Sequence, residues 1–66
     1  MLDKKKLINK VLIGEIRPVS SRYGVNNFQE YVTFEYEGIT FEVIKYSGCM
    51  YEEDSDMITV LKGEEA

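Results

Sequence analysis

Histidine is absent from this chain of 66 residues, and there is a single cysteine, Cys49. A serine or thiol nucleophile paired with an imidazole therefore has no base here. Lysine could replace the imidazole, but no Ser-x-x-Lys spacing occurs. Cys49 stands in SGCMYEE, where nearby carboxylates disfavour the thiolate that a reactive cysteine needs. A zinc site of the Cys/His kind is excluded, and no intrachain disulfide can form. The expectation is a non-enzymatic protein with no catalytic residues, no metal and no cofactor.

Three groups of residues keep some chemical capacity. Glu35 and Glu42 form a carboxylate pair, but paired-carboxylate hydrolysis needs a cleft and one carboxyl in an apolar setting. The run EEDSD (Glu52, Glu53, Asp54, Ser55, Asp56) offers oxygen ligands, yet lacks the alternating ligands and glycine of an EF-hand loop. It reads as a solvated loop, a rim that docks a basic partner, or a run of acids that discourages strand pairing at an edge. The third is SSRYGVNN, residues 20–27, read as a connector longer than a tight turn requires. Ser20 and Ser21 could donate to a phosphate, Arg22 could grip it with two bonds, and Gly24 lets a backbone amide approach. Tyr23 could stack on a base, Asn26 or Asn27 could read its edge, and Arg17 could add charge. The same composition also serves an ordinary exposed turn, and no phosphate-loop or dinucleotide fingerprint is present.

The elements that must position these groups are led by FQEYVTFEYEGITFEVIKYS, residues 28–47. Alternation of Phe28, Val32, Phe34 and Tyr36 with polar neighbours predicts a half-buried strand, and it resumes at Ile39, Phe41 and Val43. Glu37-Gly38 between them predicts a two-residue hairpin loop. That register sets Tyr36 opposite Ile39, Phe34 opposite Phe41, Val32 opposite Val43 and Glu30 opposite Lys45. The other face carries Glu35 with Thr40, Thr33 with Glu42, Tyr31 with Ile44 and Gln29 with Tyr46. Upstream, KVLIGEIRPV (residues 10–19) is expected to be a strand because Val11, Ile13 and Ile16 are β-branched, with Gly14 marking a bulge and Pro18 either ending regular pairing or placing it at a sheet edge. A rival reading continues a helix capped by Asp3 through Leu12, with Gly14 ending it. Downstream, MITVLK (residues 57–62) is expected to be a strand and residues 63–66 a tail.

The fold expected is therefore mainly β: one small domain, an antiparallel meander of about four strands with a short N-terminal helical turn over residues 1–9. Such a sheet could curl into an SH3-like barrel or pair with a second copy. A chain this short buries only about 60% of its unfolded surface, so self-association is a common remedy. Lys4–Lys6 resemble a signal-peptide start, but Asn9 and Lys10 interrupt the apolar run that should follow, and no run reaches membrane-spanning length. One unpaired cysteine fits a reducing compartment, so a cytoplasmic protein is expected.

Net charge is −4 and unevenly spread: four lysines against Asp3 in residues 1–10, but six acids against Lys62 in residues 48–66. The balance speaks against direct nucleic-acid binding, which wants a basic face. It suits a partner protein with a basic surface. The leading functional expectation is a small inhibitory protein, a self-associating binder of the sort small mobile genomes encode. It would occupy its partner through an aromatic patch of Tyr31, Ile44, Tyr46 and Tyr51, rimmed by Glu52, Glu53, Asp54 and Asp56. The alternatives are an oligomer that sequesters a nucleotide or other phosphate-bearing ligand through residues 20–27, and an accessory subunit of a larger complex.

Overall fold

The computed structural model describes residues 3–24, 28–46 and 50–63. Helix α1 spans Lys4–Leu12. Asp3 caps it, its Oδ1 accepting the Lys6 N–H at 3.2 Å. Leu7, Ile8 and Val11 share its buried face. At the far end Glu15 N–H reaches Lys10 C=O at 2.9 Å and Gly14 N–H reaches Val11 C=O at 3.1 Å. This double closure is a Schellman end, with Gly14 at φ +78° in the left-handed position. The strand expected over residues 10–19 is thus corrected: its first part completes a helix that extends past residue 9. The β-branching of Val11 and Ile13 is a weak preference, and burial of one helical face outweighs it.

Strand β1 is Pro18–Tyr23, β2 is Gln29–Tyr36 and β3 is Ile39–Tyr46. The hairpin β2–β3 has the register that its loop demands, from Tyr36 against Ile39 to Gln29 against Tyr46. Glu37 at φ +49° and Gly38 at φ +81° match the positive φ pair of a type I′ turn. β1 runs antiparallel to β2, with an irregularity between Pro18 and Ser20. Ser20, Ser21, Arg22 and Tyr23 therefore form a strand rather than a loop, and Pro18 begins that strand.

The other edge of β3 is shared by two short pieces. β4 (Met50–Tyr51) pairs with Lys45 and Tyr46, and Glu52 N–H still reaches Ile44 C=O at 2.8 Å. The chain then leaves the sheet, makes a 3₁₀ turn at Ser55–Met57, and returns as β5 (Thr59–Lys62) against Thr40–Glu42. The strand expected from Met57 thus starts two residues later, while Ile58 is buried beneath α1. The result is an antiparallel meander, β1-β2-β3-β4, with β5 also on β3. The sheet stays open and does not close into a barrel.

One face of the sheet is covered. Leu7, Ile8, Val11 and Ile16 pack onto Val32, Phe34, Phe41 and Val43, with Ile58 at the margin. Phe34 and Phe41 stack with ring centroids 5.6 Å apart. No helix among the described residues is long and apolar enough to cross a membrane.

Candidate functional site: the uncovered sheet face

Side chains alternate across a strand, so each core residue has neighbours that point away from α1. By register, that opposite face presents Ser20 and Arg22 from β1, Gln29, Tyr31, Thr33 and Glu35 from β2, and Thr40, Glu42, Ile44 and Tyr46 from β3. Met50 lies opposite Tyr46 and is 64% exposed, and Glu52 follows opposite Ile44.

Two polar clusters organise this face. Arg22 Nη2 lies 3.4 Å from both carboxylate oxygens of Glu42, and its guanidinium stands 4.5 Å above the centre of the Tyr31 ring. The Tyr31 hydroxyl donates to Gln29 Oε1 at 3.4 Å. At the other end the Tyr46 hydroxyl donates to Glu52 Oε2 at 2.5 Å. That bond, followed by the Asp54 N–H on the same carboxylate, holds Glu52 below the usual carboxylate value. It also raises the Tyr46 phenol, since ionisation would break the bond and face the carboxylate. Tyr31, Ile44, Tyr46 and Met50 form an apolar band between the clusters. Glu35, Glu42 and Glu52 outnumber Arg22 and Lys62 on this face.

The partner-binding residues expected from sequence are divided by the fold. Tyr31, Ile44, Tyr46 and Glu52 come together on the uncovered face. Tyr51 does not join them: it sits opposite Lys45 on the helix side, edge-on to Phe34 at 5.8 Å, with Lys45 Nζ 5.4 Å from its ring centre. Glu53 and Asp54 line a shallow depression beside Lys5, Ile8 and Asn9 of α1, and Asp56 N–H is tied back to Asp54 Oδ1 in the 3₁₀ turn. Only Glu52 of the acidic run borders the aromatic patch. Met50 was missed, and the register of the strand that follows β3 is the signal that identifies it.

The phosphate-binding set is likewise split. Ser20 and Arg22 point to the uncovered face, Ser21 and Tyr23 to the helix side, and Arg17 precedes β1. Asn26 and Asn27 lie outside the described residues, as does Cys49. Arg22 is already engaged by Glu42 and Tyr31. On the helix side, an open cleft of about 230 Å³ lies between β1 and β4, lined by Pro18, Val19, Ser21, Glu30, Lys45 and Tyr51 among others. Among the described residues, no group of three or more acids or cysteines is placed to hold a metal ion. No family model, curated protein or solved structure matches this chain.

Proposed function

We propose that this chain is a non-enzymatic protein that binds a partner protein through the sheet face opposite α1, blocking a basic surface on that partner. The observation that carries the reading is the band of half-buried Tyr31, Ile44 and Tyr46 with exposed Met50, on the face away from α1 and bordered by Glu42 and Glu52. Rigid aromatic anchors held by hydrogen bonds are suited to the centre of an interface. Glu52 and the exposed Glu35 on the same face supply complementarity to lysine or arginine and steer encounter. The phosphate-binding alternative draws less support, because its residues sit on both faces and Arg22 is committed to Glu42.

The test compares capture by the wild-type chain with capture by Tyr46→Ala and Ile44→Lys, followed by calorimetry on the purified partner. Both variants are expected to lose at least about tenfold in affinity, in line with loss of an interface anchor. Wild-type affinity should also fall as salt is raised. A partner bound equally by all three chains overturns the reading.

A further inference from the structure

We infer that β1 is the seam of a homodimer, in which two copies pair their β1 strands antiparallel about a two-fold axis at Ser21. The inference rests on the free edge of the sheet and is independent of the partner-binding face. Gly24 N–H reaches Gln29 C=O at 2.7 Å, which fixes the phase of the β1–β2 ladder. In an antiparallel ladder, alternate residues turn their backbone groups to opposite sides. Arg22 and Ser20 thus bond toward β2, while the N–H and C=O of Ser21 and Tyr23 point outward, where none of the described strands lies.

The two edges of the sheet are treated differently. On β3, the outer strand is broken into a two-residue β4 and a bulged four-residue β5, with acids between them. Interruptions of this kind discourage pairing with another chain. β1 has no such protection past its irregularity at Val19. All six of its residues are exposed, and its single charge, Arg22, is held over the uncovered face by Glu42.

A second copy of this chain fits that edge. Residues directly opposite in an antiparallel pair share a face, so a two-fold that keeps both helices on one side passes through a residue. With the axis passing between Ser21 and its copy, the N–H of each Ser21 donates to the C=O of the other. Arg22 falls opposite Ser20 of the partner subunit, which sets no like charges face to face. Tyr23, 67% exposed, comes beside Val19 of the partner subunit where the regular ladder ends at the β1 irregularity, and Val19 is 58% exposed. An aromatic against a β-branched residue is a favourable cross-strand pair. It also places the partner's Tyr23 beside Val19 at the lip of the 230 Å³ cleft, adding a wall to its open side. Symmetric pairing of one patch with itself is the commonest way for small proteins to assemble.

The experiment is sedimentation equilibrium of the intact chain over a wide concentration range, followed by cysteine cross-linking in a Cys49→Ser background. On the axis, Ser21→Cys places two thiols on Cα atoms about 5.5 Å apart, within disulfide range. Ser20→Cys places them about 8 Å apart, outside it. The expected result is a wild-type dimer, rapid cross-linking of Ser21→Cys under mild oxidation, and none of Ser20→Cys. Ser21→Pro, which removes an outward N–H but no bond to β2, should give a folded monomer. If Ser21→Pro fails to fold, the cysteine pair still decides. A chain that is monomeric at every concentration overturns the inference. So does a dimer whose Ser20→Cys cross-links as readily as Ser21→Cys, or one that Ser21→Pro leaves intact: its seam lies elsewhere or runs to a different partner.

Discussion

Val43 and Ile44 are adjacent in β3, yet Val43 is buried under α1 while Ile44 is half-buried on the opposite face, where no described helix packs, so a lysine at each position should have opposite outcomes. Val43 is 1% exposed, beneath α1 and packed with the core. Val43→Lys must desolvate an ammonium with no carboxylate among the core residues, which costs several kcal/mol even after relaxation. It also loses about 1.5 kcal/mol or more of buried side chain. A 66-residue domain has a total stability of about 3–10 kcal/mol, so this variant should not fold. Ile44→Lys puts the ammonium on the uncovered face beside Glu52 and Glu42, and its alkyl stem keeps much of the contact with Tyr31 and Tyr46. Its cost should be about 1 kcal/mol, mostly lost β-propensity. The assay is urea denaturation followed by circular dichroism, with the slope checked for constancy. Val43→Lys should show no transition, and Ile44→Lys should keep a cooperative one at a slightly lower midpoint. If Ile44→Lys unfolds as Val43→Lys does, that face is buried and the two-layer description is wrong. If Val43→Lys folds stably, α1 does not cover it.

Two further outcomes test local chemistry. The Tyr46–Glu52 bond lowers the Glu52 pKa from 4.5 and raises the Tyr46 pKa from 10.0, so it contributes fully between those values. The contribution should fade as pH falls through the lowered carboxyl value and as pH rises through the raised phenol value. The stability difference between wild type and Tyr46→Phe should therefore be a plateau that declines on both sides, and a difference independent of pH would remove this bond from the account. At the hairpin, Glu37 holds a left-handed φ of +49° that asparagine adopts more readily. Glu37→Asn should raise stability by about 0.5–1 kcal/mol in thermal unfolding, and a lowered melting temperature would show that the Glu37 side chain matters more than its backbone.

Local pattern determined the hairpin outright. Period-two alternation and a Glu-Gly loop bind the register to a few consecutive residues, so Tyr31, Ile44 and Tyr46 could be set on one face from the sequence alone. The divided expectations all concern segments whose local preferences are weak. Residues 10–12 carry both a β-branched composition and a helical apolar face, and only the presence of a sheet to cover made the helix win. Ser20–Tyr23 have the composition of a turn, yet the free edge of β2 offers a ladder that pairs their backbone. Tyr51 was expected in the aromatic patch and Glu52 on its acidic rim. Pairing with β3 sends consecutive residues to opposite faces, so Tyr51 entered the core side and Glu52 met Tyr46. Sequence alone determines what a residue can do and how a strongly periodic segment pairs. Which side chains share a surface is decided by tertiary structure, because burial and strand pairing outweigh the small local preferences that composition records.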